Sequence, residues 1–432
     1  MFSTDTTISS GPELRDIPEL QRRMVRVLVA AQILSGAGLA AGVTVGALLA
    51  KDMLDSTGLA GLPSALLTAG SALAAVAVGR MSQARGRRPG LAAGYLIGAV
   101  GSLGVVAAAV VDDPVLLFVA LFVYGAGNAT NLQARYAGAD LADASHRGRA
   151  VATVLVATTL GGVVGPNLAA PTGALAESLG IPTLAGPFLL AAAAYAMAAL
   201  VLTLWLRPDP LLLARSLPVD GDASAPENGT ANPATRSGGG VAVGALVMGV
   251  TQLVMVAIMT MTPVHIHDHG HGTAASGLVI AIHVGAMYLP SPLTGWLVDR
   301  YGRLPVAAAA GLTLLAAGLL AATAPGDSVA LLALALALLG LGWNFGLLAG
   351  TAIVADAVPV ATRAKTQGVV DVSIAIAGAA GGLGSGLVVA AASYPALALT
   401  GGVLAVAVVP VVAYASRGRS ELGLGARSST AE

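Results

Sequence analysis

The chain has no cysteine. Disulfides and thiolate metal sites are therefore excluded. Charge is scarce too. Only 10% of residues are Asp, Glu, Lys or Arg, against about 25% in a typical soluble domain. Walker-type phosphate loops and the signature of a phosphorylated-Asp ATPase are missing, so direct ATP use is not expected. This composition rules out a soluble enzyme. No cofactor and no nucleic-acid partner is expected, and the net charge of zero says little, because the distribution of charge matters more than its sum.

What the chain has in place of charge is hydrocarbon. Of its 432 residues, 56% are hydrophobic and 56 residues are glycine. The apolar residues fall in long runs, so the expected partner is the lipid bilayer. Glycine fits that setting because small residues let membrane helices approach closely. A helix needs about 20 apolar residues to cross the hydrocarbon layer. Runs of that length lie near 27–50, 58–79, 90–111, 114–134, 150–176, 185–206, 241–264, 274–295, 305–324, 329–353, 366–392 and 395–415. The first is too long for a signal-peptide core, and another span follows it.

Twelve spans can be tested by charge placement. With the N-terminus inside, every basic residue except Lys51 falls in an inside segment, as the positive-inside rule requires. The expectation is a multi-pass protein of the cell inner membrane with both termini cytoplasmic, acting as a monomer. Residues 1–26 form an N-terminal segment and 27–206 the first six-helix bundle. Residues 207–240, rich in Pro, Gly, Ser and Asn, read as a flexible linker. Residues 241–415 form the second bundle and 416–432 a tail.

The two bundles repeat at one constant spacing, which pairs Gly79 with Gly295, Asn128 with Asn344 and Arg147 with Arg363. Parallel halves of this kind place a substrate at their interface near the bilayer midplane. After the eighth span stands Gly295-Trp-Leu-Val-Asp299-Arg300-Tyr-Gly302-Arg303. After the second stands Gly79-Arg-Met-Ser-Gln83-Ala84-Arg-Gly86-Arg87. This pattern resembles the loop signature of the major facilitator superfamily. The resemblance implies an all-α fold of two pseudo-symmetric six-helix bundles. It also implies a gating role for these residues. In the first copy Gln83 replaces the acid and Ala84 the first Arg, which weakens the expected latch there. The fifth span carries Gly161-Gly-Val-Val-Gly165-Pro166, similar to the first part of a motif of drug–proton antiporters. Ala169 and Ala170 stand where its last glycines belong, and Leu121 stands at the antiporter arginine position.

Features that the fold requires should occur in both halves, so the repeat acts as a control. Five of the ten Met lie between 248 and 287, and five of the six His between 265 and 283. Met255 and Met259 share one face of the seventh span, and His283 and Met287 one face of the eighth. At about 1.5 Å per residue, Met255 and His283 both lie about 13 Å deep. Their counterparts are Leu39, Val43, Leu67 and Ser71, none of them expected as a metal ligand. Thioether and imidazole suit copper, Cu(I) above all. Methionine also serves as ordinary packing filler. The four positions resemble the signature of the CcoA-type copper importers, a branch of the same superfamily. That resemblance implies copper as substrate and import as direction.

The outer connection His265-Ile-His267-Asp268-His269-Gly-His271 reads either as a metal-capture loop or as a solvated, pH-responsive one. Asp371 in the eleventh span is a candidate for proton coupling, or for pairing with Arg363 and Lys365. Asn128 and Asn344 read as cavity residues or as interhelical glue, and Gln32 in the first span as a residue facing the cavity. The expectation is a secondary transporter taking up copper by alternating access. Its rivals are a proton-coupled exporter of drugs or amphiphiles and a non-transporting metal sensor or assembly factor.

Overall fold

Lipid offers the backbone no hydrogen-bond partners, so an apolar chain crossing it must satisfy every peptide group internally. The computed structural model describes residues 17–54, 62–217, 233–271, 273–326 and 328–413. The expected segment 416–432, most of 1–26 and part of the expected linker, 218–232, lie outside them. The first half runs through α1 (Ile17–Leu54), α2 (Leu62–Arg85), α3 (Arg87–Val111), α4 (Pro114–Ala139), α5 (Arg147–Asn167), α6 (Ala169–Ser178) and α7 (Gly186–Trp205). A short helix α8 (Pro210–Ser216) follows. The second half contains α9 (Pro233–Asp268), α10 (Thr273–Tyr288), α11 (Ser291–Tyr301), α12 (Arg303–Thr323), α13 (Val329–Ala357), α14 (Arg363–Ala391) and α15 (Tyr394–Ala405). Ten stretches among the described residues are long and apolar enough to cross a membrane. With α1 and the α5–α6 pair they make the twelve-helix, all-α fold that the hydropathy pattern implies.

Several boundaries differ from the sequence reading. The fifth span breaks at Leu168, just beyond Gly165-Pro166, and the eighth breaks between Tyr288 and Ser291, where Pro290 and Pro292 remove backbone donors. Only residues 207–209 and 217 are described as irregular within the expected linker. Asp209 caps α8 by accepting from the Leu211 amide at 3.0 Å and the Leu212 amide at 3.2 Å. Helix α9 already begins at Pro233. Helices α2 and α11 reach Arg85 and Tyr301, so most of the two loop signatures is helical.

The signature's turn is made by two glycines at equivalent positions of the repeat. Gly86 has φ 100° and Gly302 φ 97°, a region that side-chain-bearing residues rarely adopt. Each ends one helix and starts the next within a single residue. Each half has its own buried core. The first centres on Tyr95, Tyr124, Phe188 and Tyr195, with Tyr95 stacked on Tyr195 at 5.8 Å. The second is aliphatic and sulfur-bearing, and holds Met248, Met255, Met287 and many Leu and Ala.

Candidate functional site

The side of the molecule where the basic segments gather is termed the basic face. Two latches fasten the halves there. In one, Asp299 at the end of α11 accepts from the Gly148 and Arg149 amides at 2.8 and 3.0 Å. Its carboxylate thus sits on the N-terminus of α5, where the helix dipole favours negative charge. In the other, Gln83 Oε1 accepts from the Ala364 and Lys365 amides at 2.8 and 3.3 Å, at the N-terminus of α14. Gln83 Nε2 also donates to the Ala361 carbonyl. Residues 83 and 299, 148 and 364, and 149 and 365 are repeat-related pairs. Gln83 therefore caps the same helix terminus as its acidic counterpart, and the weakened latch expected from the sequence is intact. Close approach makes both possible. A Cβ on Gly79 would lie 2.9 Å from the Ala364 carbonyl, and one on Gly295 would lie 2.6 Å from that of Gly148.

Behind each cap lies a triad of charges. Arg87 pairs with Asp140 at 2.7 Å, and Arg363 approaches the same carboxylate at 3.9 Å. Arg87 Nη2 also donates to Gln367 Oε1 at 2.5 Å across the halves. The repeat-related triad is Arg303 with Asp356 at 2.9 Å, joined by Arg147. The first triad is sealed, with side chains at most 8% exposed, while the second is 15–26% exposed. Arg87 was expected as a loop residue; it is a buried one. Arg300 is exposed and Gly302 supplies only the turn.

Further in, Arg135 of α4 donates to Asp371 of α14 at 2.7 Å, to Thr351 Oγ1 at 3.0 Å and to Tyr136 OH at 2.9 Å. The Tyr136 hydroxyl also reaches Asp371 Oδ1, at 3.3 Å. Asp371 Oδ2 is buried with no partner. The pairing of Asp371 with Arg363 or Lys365 is thus replaced by a pairing across the halves. Arg135 itself counted as a loop cation in the charge pattern; α4 extends past it, and its side chain is 0% exposed. This pair was missed because its members stand in opposite halves, 236 residues apart.

The polar residues expected in the cavity or as glue each hydrogen-bond to a neighbouring helix. Asn128 donates to Ser71 Oγ at 3.2 Å. Asn344 donates to the Met287 carbonyl and to Ser291 Oγ, both at 2.7 Å, and accepts from Thr294 at 2.5 Å. Each ties the fourth helix of its half to the second. Gln32 is fully buried between Tyr95, Asn131 and Thr158, with bonds of 2.6, 3.1 and 3.0 Å.

Of the sulfur–imidazole quartet, three members are buried and Met259 is half-buried. Met255, His283 and Met287 are 4%, 0% and 8% exposed, and Met259 packs against the same apolar core. His283 Nδ1 lies 2.8 Å from the Leu336 carbonyl. A carbonyl only accepts, so Nδ1 carries the proton and the Nε2 lone pair is free in the neutral ring. That Nε2 is buried without a hydrogen-bond partner. Nearby, Trp343 Nε1 donates to Gln252 Oε1 at 2.7 Å, and Tyr288 meets the Trp343 ring edge-on at 5.7 Å. At the opposite face the outer histidines sit on the end of α9 and the turn that follows it. Helix α9 continues through Asp268, because His265 stacks on Tyr394 at 4.3 Å and Ile266 is buried. His269 lies 4.3 Å from His265, while His267 and Asp268 are exposed and His271 is half-buried. Among the described residues, no three His, Asp or Glu side chains gather as a metal-binding group.

Comparison with known proteins places this geometry. The family model described as Major Facilitator Superfamily matches residues 28–289 and 241–429. The uncharacterized MFS-type transporter YdeG of Bacillus subtilis is 56% identical over 411 residues, 95% of either chain. The riboflavin transporter RfnT of Brucella anthropi is 30% identical over 358 residues, 81% of this chain and 85% of that one. The structure of the human organic anion transporter MFSD10 has a TM-score of 0.73 at 17% identity, covering 91% of this chain and 99% of that one. At that identity the likeness concerns the fold alone.

Proposed function

The chain belongs to the major facilitator superfamily, and from that premise we propose a secondary transporter working by alternating access, with protonation of Asp371 as the switch between its halves. One observation carries this reading: a buried Arg135–Asp371 pair joins the halves and leaves one carboxylate oxygen unpartnered. A proton on that oxygen neutralises Asp371 and strands the Arg135 charge in a dry interface. Breaking a buried pair by removing one partner costs about 3–5 kcal/mol. That is enough to drive the halves apart at the basic face, which the two latches hold closed in this conformation. Release of the proton restores the pair and closes the face again.

The substrate we propose is a small organic solute with a flat aromatic ring. The Gln252–Trp343–Tyr288 cluster on α9, α13 and α10 gathers an indole, a phenol and an amide, the kinds of group that hold a flat ring, and the relative RfnT is a riboflavin transporter. Copper uptake is the second reading, favoured by the free Nε2 of His283 beside a methionine-rich core. A neutral imidazole anchored through Nδ1 is the form that ligates metal.

Proteoliposomes separate these readings. Riboflavin and isotopic Cu(I) are supplied with and without an imposed proton gradient. The coupling reading expects Asp371→Asn to abolish gradient-driven accumulation and to keep exchange at zero gradient. Accumulation at the wild-type level in that variant would reject it. Loss of riboflavin flux in Trp343→Ala supports the organic substrate. Loss of copper flux in His283→Gln and Met255→Leu supports the metal. Flux of neither rejects both substrates.

A further inference from the structure

Between α1 and α7, on the outer surface of the first half, lies an open cleft of about 500 Å³. Arg23, Arg26, Val27 and Ala30 line it from α1, and Val201 and Trp205 from α7. Positions 23, 26, 27 and 30 form one stripe of a 3.6-residue helix, as do 201 and 205. Polarity is graded along both helices. Arg23, Arg26 and the Trp205 indole stand toward the basic face, while Val27, Ala30 and Val201 lie up to about 10 Å deeper. Both arginines are exposed, and among the described residues neither pairs with a carboxylate, Glu19 one turn earlier included. Trp205 is 52% exposed.

We infer that this cleft is a binding site for an anionic phospholipid of the leaflet at the basic face. The chemistry matches in order of depth. Two guanidiniums meet a phosphate, an indole sits at the interfacial level, and an aliphatic groove receives an acyl chain. The internal repeat argues against a mere consequence of the positive-inside rule. The repeat counterparts of Arg23 and Arg26 are Gly239 and Ala242, so the second half does without charge there. The cleft lies within one half, so the lipid steadies the packing of α1 on α7 and leaves the inter-half switch untouched.

The test uses the purified full chain in nanodiscs of equal phosphatidylglycerol and phosphatidylcholine, with retained lipid counted by native mass spectrometry. Wild type should retain phosphatidylglycerol over phosphatidylcholine by on the order of tenfold, since each basic residue near an anionic surface contributes several-fold. The Arg23→Gln/Arg26→Gln double variant should fall to near equality, and Arg22→Gln, outside the cleft, should keep the preference. Val201→Trp fills the apolar part with both charges in place and should also lower retention. Glycerol phosphate at millimolar concentration should not compete. No preference in wild type, an unchanged preference in the double variant, or displacement by glycerol phosphate alone would each overturn the site.

Discussion

The two latches perform one task with opposite electrostatics. At the second, a carboxylate, Asp299, caps a helix beside a water-accessible triad of Arg303, Asp356 and Arg147. At the first, a neutral amide, Gln83, caps the equivalent helix beside a sealed triad of Arg87, Asp140 and Arg363. Water screens the second, so each of its charge contacts is weak. The first is dry, and two cations there share one carboxylate. The loop signature alone suggests that the copy lacking its acid is the weaker. Burial reverses that order, because the strength of a charge contact depends on the dielectric around it more than on how many charges take part.

This contrast is broken most directly at the two triad acids. Asp140→Asn leaves Arg87 and Arg363 buried without a counter-charge and should cost about 3–5 kcal/mol. Asp356→Asn removes a partly screened pair and should cost about 0–1 kcal/mol. Equilibrium unfolding in mixed micelles measures both. Equal losses would show that the triads are equivalent and that burial does not set their worth.

The turn glycines come next. Both need a positive φ, so Gly86→Ala and Gly302→Ala each carry about 1–3 kcal/mol of backbone strain. A methyl at position 86 also collides with the Asp209 carboxylate, which holds the Arg88 amide at 2.7 Å. Position 302 offers open space, its nearest neighbour being Pro305 Cδ at 3.8 Å. Thermal melting should rank Gly86→Ala below Gly302→Ala. The reverse order would mean that Asp209 yields freely.

A third contrast lies nearer the midplane. Gln32, Ser35, Tyr95, Asn131 and Thr158 form a closed polar network in the first half. Their repeat counterparts are Met248, Thr251, Gly311, Leu347 and Ile374. Gln32→Met imports the second half's solution, and it takes the acceptor away from the Tyr95 hydroxyl and the donor away from Thr158 Oγ1 and the Asn131 carbonyl. The expected cost is about 1–3 kcal/mol, read by unfolding. A neutral outcome would mean that the network relaxes around its loss.

These comparisons also mark what could be read in advance. Helix count and the two-half plan follow from bilayer thickness and from the side on which arginines fall, both of which act locally on the chain. Gly79, Gly295 and Asp299 were legible because a tight turn and a helix cap impose residue types at fixed spacing. Arg135 and Asp371 were not legible as a pair. A cation near a span's end looks like a loop cation, and only the extension of α4 past residue 134 buries it. The internal repeat did carry an unused signal, since Asp140 and Asp356 obey it as Arg147 and Arg363 do. The methionines show the opposite difficulty. The first half has no methionine at the matching positions, so the fold does not require sulfur there, yet Met255 and Met287 sit comfortably in an aliphatic core. Thioethers pack as well as they ligate, so sequence position alone cannot separate the two roles.

The caps themselves give the smallest and sharpest comparison. Gln83→Leu removes an acceptor from two amides at the start of α14 and should weaken closure by about 1 kcal/mol, as other helix caps do. Asp299→Asn keeps an acceptor at the start of α5. It loses only the charge–dipole term and the half-exposed contact with Arg149 at 3.4 Å, so about 0.3–1 kcal/mol is expected. Cysteine pairs placed across each latch in this cysteine-free chain report closure by crosslinking rate. Raising salt should shrink the Asp299→Asn effect and leave that of Gln83→Leu unchanged, because salt screens charge and not a neutral hydrogen bond. If salt erased both effects alike, the amide latch would be held by the surrounding charges rather than by its cap.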